Sequence, residues 1–323
     1  MNPTDRTDFI RNTLSVAPAA PDGLYVLTTV YPESDALNSS GQLLHHRLDE
    51  EALTRCVLNT ASPLAAMWVS PLGSLWLAGA DGTVWTTADI GWGPVPGLQF
   101  EVLDEAMDWK ATRLPVLSNQ GYAPNLTAIW GTSDKDVFCA TASGAIYHWD
   151  GAEWRESQSG FEVSLTKLHG TGPGDVYCVG YKGAVSHYDG ENWRPVSVTG
   201  IAAFQTIVTG VCAVAPGLAH LVTNRGSLLT GNGEGFSLAA SAQAKFMGIV
   251  NWMGRLMLCS SPGGAWEVSG NEILQIKANF SATDVLEVAD RLYFIETEQP
   301  KGPSAVEYWP PRPHGSHWQR VVF

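Results

Sequence analysis

The chain has 323 residues with a net charge of −13, 45% hydrophobic and 16% charged residues, and aromatics enough for a large core, which excludes an intrinsically disordered protein. That charge also argues against binding to phosphate backbones, which needs clustered Lys and Arg, and against anionic membrane surfaces. The N-terminal Met1 to Asp8 has no basic region followed by an apolar core, and no run is apolar enough to cross a bilayer, so a cytoplasmic location is expected. Five cysteines, Cys56, Cys139, Cys178, Cys212 and Cys259, show no CxxC spacing and read as reduced thiols.

Taken in order, the first segment pairs an apolar stretch, Leu24-Tyr25-Val26-Leu27, with Gln42-Leu43-Leu44-His45, and Phe9-Ile10 is placed to add an inner strand. Next come Ala66-Met67-Trp68-Val69, Ser74-Leu75-Trp76-Leu77-Ala78, Gly82-Thr83-Val84-Trp85 and Trp92. A long excursion from Gly93 to Asn125 follows, in which Phe100 to Trp109 has helical spacing, with Asp104 and Asp108 on one side and Leu103 and Met107 on the other. This stretch is expected to be a helix capping the fold.

The segment from Leu126 to Arg194 then says one thing twice. Leu126-Thr127-Ala128-Ile129-Trp130-Gly131-Thr132 is answered by Leu165-Thr166-Lys167-Leu168-His169-Gly170-Thr171, and the echo runs through Asp136-Val137-Phe138-Cys139, Gly144-Ala145, His148, Asp150-Gly151 and Trp154-Arg155. About 14 identities over roughly 30 positions make this a repeat unit of propeller-blade size. Each unit reads as four short strands, and the Asp-Gly dipeptide between the third and fourth tolerates the positive φ of a tight hairpin. A four-stranded meander cannot bury both faces alone, but radial stacking buries them. Cys139 and Cys178 fall at matching strand positions, where a thiol packs as a small hydrophobe.

Weaker copies extend downstream. Gly226, Asn232-Gly233 and Phe236 mark one, and Phe246 to Cys259 with Gly264-Ala265-Trp266 marks another. The last runs from Thr283-Asp284-Val285-Leu286 to Trp318-Gln319-Arg320-Val321. The reading is therefore an all-β propeller of about seven four-stranded blades, or six if the first copy is not a whole blade, in one domain over residues 1–323. The approximate blades are 8–58, 65–97, 126–160, 165–200, 206–240, 246–278 and 282–323, with an insertion at 98–125.

The Asp-Val-aromatic, Gly-x-Ile/Val and Asp-Gly-x-x-Trp pattern, best developed over residues 126–200, resembles the bacterial β-propeller repeats of the BNR, YCF48-like and kelch-like families. Neither a repeated Gly-His with Trp-Asp signature nor a repeated sialidase-type box occurs. These families hold binding modules, assembly factors and some enzymes, so the resemblance implies architecture and leaves the chemistry open.

Candidate sites follow from the fold. His45, His148 and His187 sit at equivalent third-strand positions, too far apart around a ring to share one metal ion, and read as structural. No metal or cofactor is expected, and Gly231-Asn232-Gly233-Glu234-Gly235 is a hairpin without the following helix that a phosphate loop needs. Paired acids such as Asp49-Glu50-Glu51 and Glu296 with Glu298 have no assignable acid and base roles, and neither a nucleophile elbow nor a P-loop occurs. Trp68, Trp130 and His169 line the central channel, where packing is the first reading.

Second-to-third-strand and blade-to-blade connections emerge on one face, and the insertions Tyr31 to Ser40, Gly93 to Asn125 and Glu296 to Ser304 are assigned to it. The predicted partner-binding residues are Glu33, Asp35, Asp104, Glu105, Asp108, Trp109, Tyr181, Lys182 and Arg225. The leading functional expectation is a non-enzymatic, acidic, protein-binding propeller, in its sharpest form a cytosolic inhibitor or immunity protein that neutralises a basic toxin or enzyme. The alternatives are a carbohydrate-binding or glycan-active propeller using tryptophans at the channel mouth, and an assembly factor for a larger complex.

Overall fold

The computed structural model describes residues 9–20, 23–35, 38–48, 53–118, 120–296, 304–308 and 317–323. Strands follow one another as antiparallel meanders and form seven sheets, each a blade. The innermost strands are Phe9–Ala19, Leu64–Val69, Leu126–Ser133, Leu165–Gly172, Val208–Ala215, Phe246–Trp252 and Asp284–Val288. Each packs beside the next, and Phe9–Ala19 packs beside Asp284–Val288, so the ring closes. The first copy is thus a whole blade, with Phe9 and Ile10 in its inner strand, and the count is seven.

Period-two alternation buries both sheet faces at once. In blade 3, Val137 and Cys139 pack with Trp76 and Val84 of blade 2, whereas Phe138 and Ala140 pack with Val176 and Cys178 of blade 4. Among the described residues there is one apolar cluster between each neighbouring pair of blades, the last joining Tyr293 and Ile295 of blade 7 to Val16 and Val26 of blade 1. Cys139, Cys178 and Cys259 are fully buried, all five thiols are free, and burial pushes the Cys212 thiol up to about 11.

The Asp-Gly hairpins form as the dipeptide requires. Asp150 Oδ1 accepts from the Ala152 and Glu153 amides at 2.9 and 3.0 Å, Asp189 Oδ1 does the same for Glu191 and Asn192 at 3.0 and 2.8 Å, and Gly151 and Gly190 take φ of 89° and 98°. Beside these turns, His148 Nε2 meets Asp136 Oδ1 at 2.6 Å and His187 Nε2 meets Asp175 Oδ1 at 2.8 Å, with Thr132 and Thr171 donating to the other carboxylate oxygen. Each ring lies against the aromatic across from it, Phe138 or Tyr177. Both histidines thus hold a strand end to a turn.

Two blades carry a fifth strand from a neighbour. Phe100–Val102, from the blade 2 insertion, pairs antiparallel with the outer strand Thr54–Thr60 of blade 1, and Val198–Thr199 pairs parallel with the outer strand Gly235–Ser241 of blade 5. Both additions cover an edge that would otherwise expose unpaired backbone groups.

The helical expectation for Phe100 to Trp109 is corrected: a three-residue strand and turns occupy it. Edge pairing to blade 1 satisfies more backbone than an isolated helical turn, whose nucleation is costly. The fourth strand of blade 2 is Lys110–Arg113, paired with Thr83–Thr86, so the insertion interrupts that blade between its third and fourth strands.

Candidate functional site

Because successive strands run in opposite directions, first-to-second and third-to-fourth connections lie on one face, the turn face. Second-to-third and blade-to-blade connections lie on the other, the loop face. Glu33 and Asp35 of blade 1, Tyr181 and Lys182 of blade 4 and Arg225 of blade 5 emerge on the loop face. Asp104, Glu105, Asp108 and Trp109 do not join them, since they precede the fourth strand of blade 2 and belong to the turn face. Of the other connections assigned to the loop face, residues 36–37 and 297–303 lie outside the described residues.

On the loop face three short elements converge between blades 4 and 5. Tyr181–Gly183 and Ala203–Gln205 are single 3-10 turns, joined by a hydrogen bond from the Gly183 amide to the Thr206 carbonyl at 2.8 Å. Arg225 Nε donates to the Gln205 carbonyl at 2.8 Å, and Lys182 Nζ lies 5.2 Å from the centroid of Phe204. Phe204 is 76% exposed and Tyr181 45%. Lys182 and Arg225 hold equivalent positions of adjacent blades, each just before the glycine that opens the third strand, and neither has a carboxylate partner among the described residues. Lys182 takes φ of 55°, a conformation that costs a side-chain-bearing residue on the order of 1 kcal/mol.

Acids are frequent on the turn face: Asp134, Asp150, Glu153, Asp189, Glu191, Glu234 and Asp290 all stand in its turns, with Arg155 paired to Asp150 and Glu153, Arg194 to Asp189 and Arg291 to Asp290. Asp104 pairs with Arg55 at 2.7 Å and Asp108 with Lys110 at 2.9 Å, so both predicted recognition acids have cationic neighbours. Trp109 is 8% exposed and packs among Leu58, Leu77 and Trp85 in the blade 1–2 core. Two apolar tips project among the acids, Leu72 at 82% and Met253 at 60% exposure.

Around the axis, Trp68 and Trp130 lean onto the glycines of the next blade, Gly131 and Gly170, and Trp130 also contacts the His169 ring at 5.8 Å. The Ala213 amide donates to His169 Nδ1 at 3.1 Å, and burial holds this imidazole down at about 4, neutral at physiological pH. Packing therefore occupies all three channel residues, although each keeps some surface toward the central cavity.

Sequence reasoning missed Phe204, which lies in a connection with no repeat counterpart, and the pairing of Lys167 with Asp284. The signal for Lys167 was present as a charge where the neighbouring repeat has Ala128. Among the described residues, no group of three or more His, Cys, Asp or Glu is placed to hold a metal ion, and no helix is long and apolar enough to cross a membrane.

The sequence matches no protein-family model and no curated protein. Solved structures resemble it in fold. The WD40 β-propeller domain of Doa1 superposes with a TM-score of 0.62 at 11% identity, covering 89% of this chain and 92% of that one. Streptogramin B lyase gives 0.63 at 10% identity, covering 88% and 94%. YCF48 bound to a D1 peptide gives 0.54 at 14% identity, covering 81% of each chain. At such identities the likeness is one of architecture, and it spans a WD40 domain, a lyase and a propeller bound to a peptide. One of the repeat types that the sequence resembles, YCF48, is thus among the structural neighbours.

Proposed function

We propose that this propeller is a non-enzymatic protein-binding module whose loop face holds a partner through Tyr181, Lys182, Phe204 and Arg225. One observation carries the reading: two exposed aromatics and two cations without carboxylate partners among the described residues are gathered on a fixed spur of a protein that is otherwise strongly acidic. Aromatic and Arg side chains are the types that dominate interface hot spots. Hydrogen bonding between the three elements fixes the patch before binding, which lowers the entropy cost of association. Neighbours of the same fold include a propeller bound to a peptide and a WD40 domain, which supports binding as the use of this architecture.

The test is capture from host extract on immobilised wild-type protein and on a Phe204→Ala/Arg225→Ala variant. A near-stoichiometric protein retained by the wild type and lost by the variant supports the reading; identical recoveries from both overturn it.

The acidic turn face favours a second reading, the cytosolic inhibitor or immunity protein that neutralises a basic toxin or enzyme. Leu72 and Met253 standing among carboxylates make an apolar contact inside a field that attracts a cationic partner. Deletion of the gene would then sensitise cells to a toxin, whereas an assembly factor would instead lower the yield of a complex. For the glycan-binding alternative, no tryptophan among the described residues offers an exposed ring for stacking; a glycan array with glycoside substrates tests it.

A further inference from the structure

The seven inner strands enclose a cavity of about 540 Å³. Each of the first six carries a β-bulge, and the residues that follow the bulges form one level of the cavity wall. Ser15, Ala66, Ala128, Gly210 and Gly248 hold that position in five blades, so the wall there is nearly bare. In blade 4 the position is Lys167, and in blade 7 Asp284 faces it; their side chains meet as an ion pair between residues 117 apart in sequence.

The contacts leave hydrogen-bonding capacity unused. Lys167 Nζ has three N–H groups, and among the described residues only Asp284 accepts from it. On the same strand, His169 receives a hydrogen bond at Nδ1, which places its proton on Nε2; no described residue accepts that N–H, and the residue lines the cavity. Two donors two residues apart on one strand thus face the space, one of them charged. Opposite them are the Asp284 carboxylate and, at the turn-face mouth, Glu287, which has no hydrogen-bond or ion-pair partner among the described residues.

We propose that the cavity is a binding site for a small zwitterion of the α-amino acid class, its carboxylate on Lys167 and His169 and its ammonium on Asp284 and Glu287. A zwitterion offers an acceptor to the unused N–H groups of Lys167 and His169 and a cation to Glu287 while the Lys167–Asp284 pair stays compensated, which neither half of it does alone. The volume lies in the range of small-molecule pockets, and the small side chains of the other blades leave room for a side chain. Trp130 beside His169 supplies apolar surface and an optical reporter.

The site is tested by titrating a panel of L-amino acids at millimolar concentration, read by calorimetry and thermal shift, with the matching acids lacking the amine and amines lacking the carboxylate. Saturable heat and a raised Tm are expected for a subset of the amino acids, with about tenfold or more weaker binding of each single-charge analogue. A Lys167→Met/Asp284→Leu variant removes both charges together, so neither is left buried alone; it is expected to keep its circular dichroism and lose the binding. The proposal is overturned if no amino acid gives saturable heat or a Tm shift, if the double variant binds as the wild type does, or if the acid without its amine binds equally well, which would mark a plain anion site. None of these readouts uses a protein partner, so the outcome is independent of the loop-face patch.

Discussion

The indole of Trp130 in blade 3 lies against Gly170 in blade 4, so close that a Cβ on that glycine would stand 2.8 Å from its ring edge. Trp68 and Gly131 repeat the relationship one blade earlier, at 3.0 Å. Blades 2 and 3 thus each rest a large ring on the bare backbone of the next. Gly170→Ala, which also drives a methyl at the Asp175 carbonyl, is expected to cost about 2–3 kcal/mol by overpacking, measured as a drop in the urea midpoint at unchanged slope.

Trp109 tests the corrected insertion. As a buried member of the blade 1–2 core, its replacement in Trp109→Ala is expected to cost about 3–5 kcal/mol. Glu101→Pro, which breaks the strand paired with Asn59, should loosen the same blades by less. Hydrogen exchange in residues 54–60 reports both; a wild-type melting curve for Trp109→Ala would contradict the burial.

His169 makes stability depend on pH. Its folded value is lowered by burial to about 4, below the ordinary 6.5, so the unfolded chain binds the extra proton between those values. The contribution of the neutral ring is complete above about pH 6.5 and is lost as pH falls toward 4, at most about 3 kcal/mol and less where cavity water reaches Nε2. Denaturation of wild type and His169→Gln should therefore differ in slope across that window and run parallel above it.

Asp175 acts lower on the scale. Burial raises its pKa, but hydrogen bonds from Thr171 and His187 outweigh that and leave it below the ordinary carboxylate value. Its stabilisation is present above the unfolded value and fades as pH falls through the folded one. Asp175→Asn should melt below wild type at neutral pH, and the gap should close under about pH 4.

Lys182 separates stability from binding. Lys182→Gly relieves a left-handed backbone and should stabilise the fold by about 1 kcal/mol, while weakening whatever the loop-face patch holds. A variant both more stable and undiminished in capture would argue against strain kept for function.

The repeat period, the Asp-Gly turns and the alternation of apolar residues were legible because each is local: a hairpin needs its own dipeptide, and a doubly buried strand needs its own run of side chains. Seven blades followed from counting copies. Blade 2 was read short because Trp92 falls near the distance from the third strand at which the other blades open their fourth. Instead it packs edge-on against Trp76 and Trp149, and the strand begins after Trp109. Lengthening a loop adds little entropy cost, so spacing alone could not decide between them. The assignment of residues to faces failed at the same place, since moving one strand past the insertion carries Asp104, Glu105 and Asp108 to the opposite side. Packing of the blades around the ring alone decided that Lys167 meets Asp284, that Phe204 lies between Lys182 and Arg225, and that five small residues leave a cavity open, because these neighbours share no short stretch of sequence.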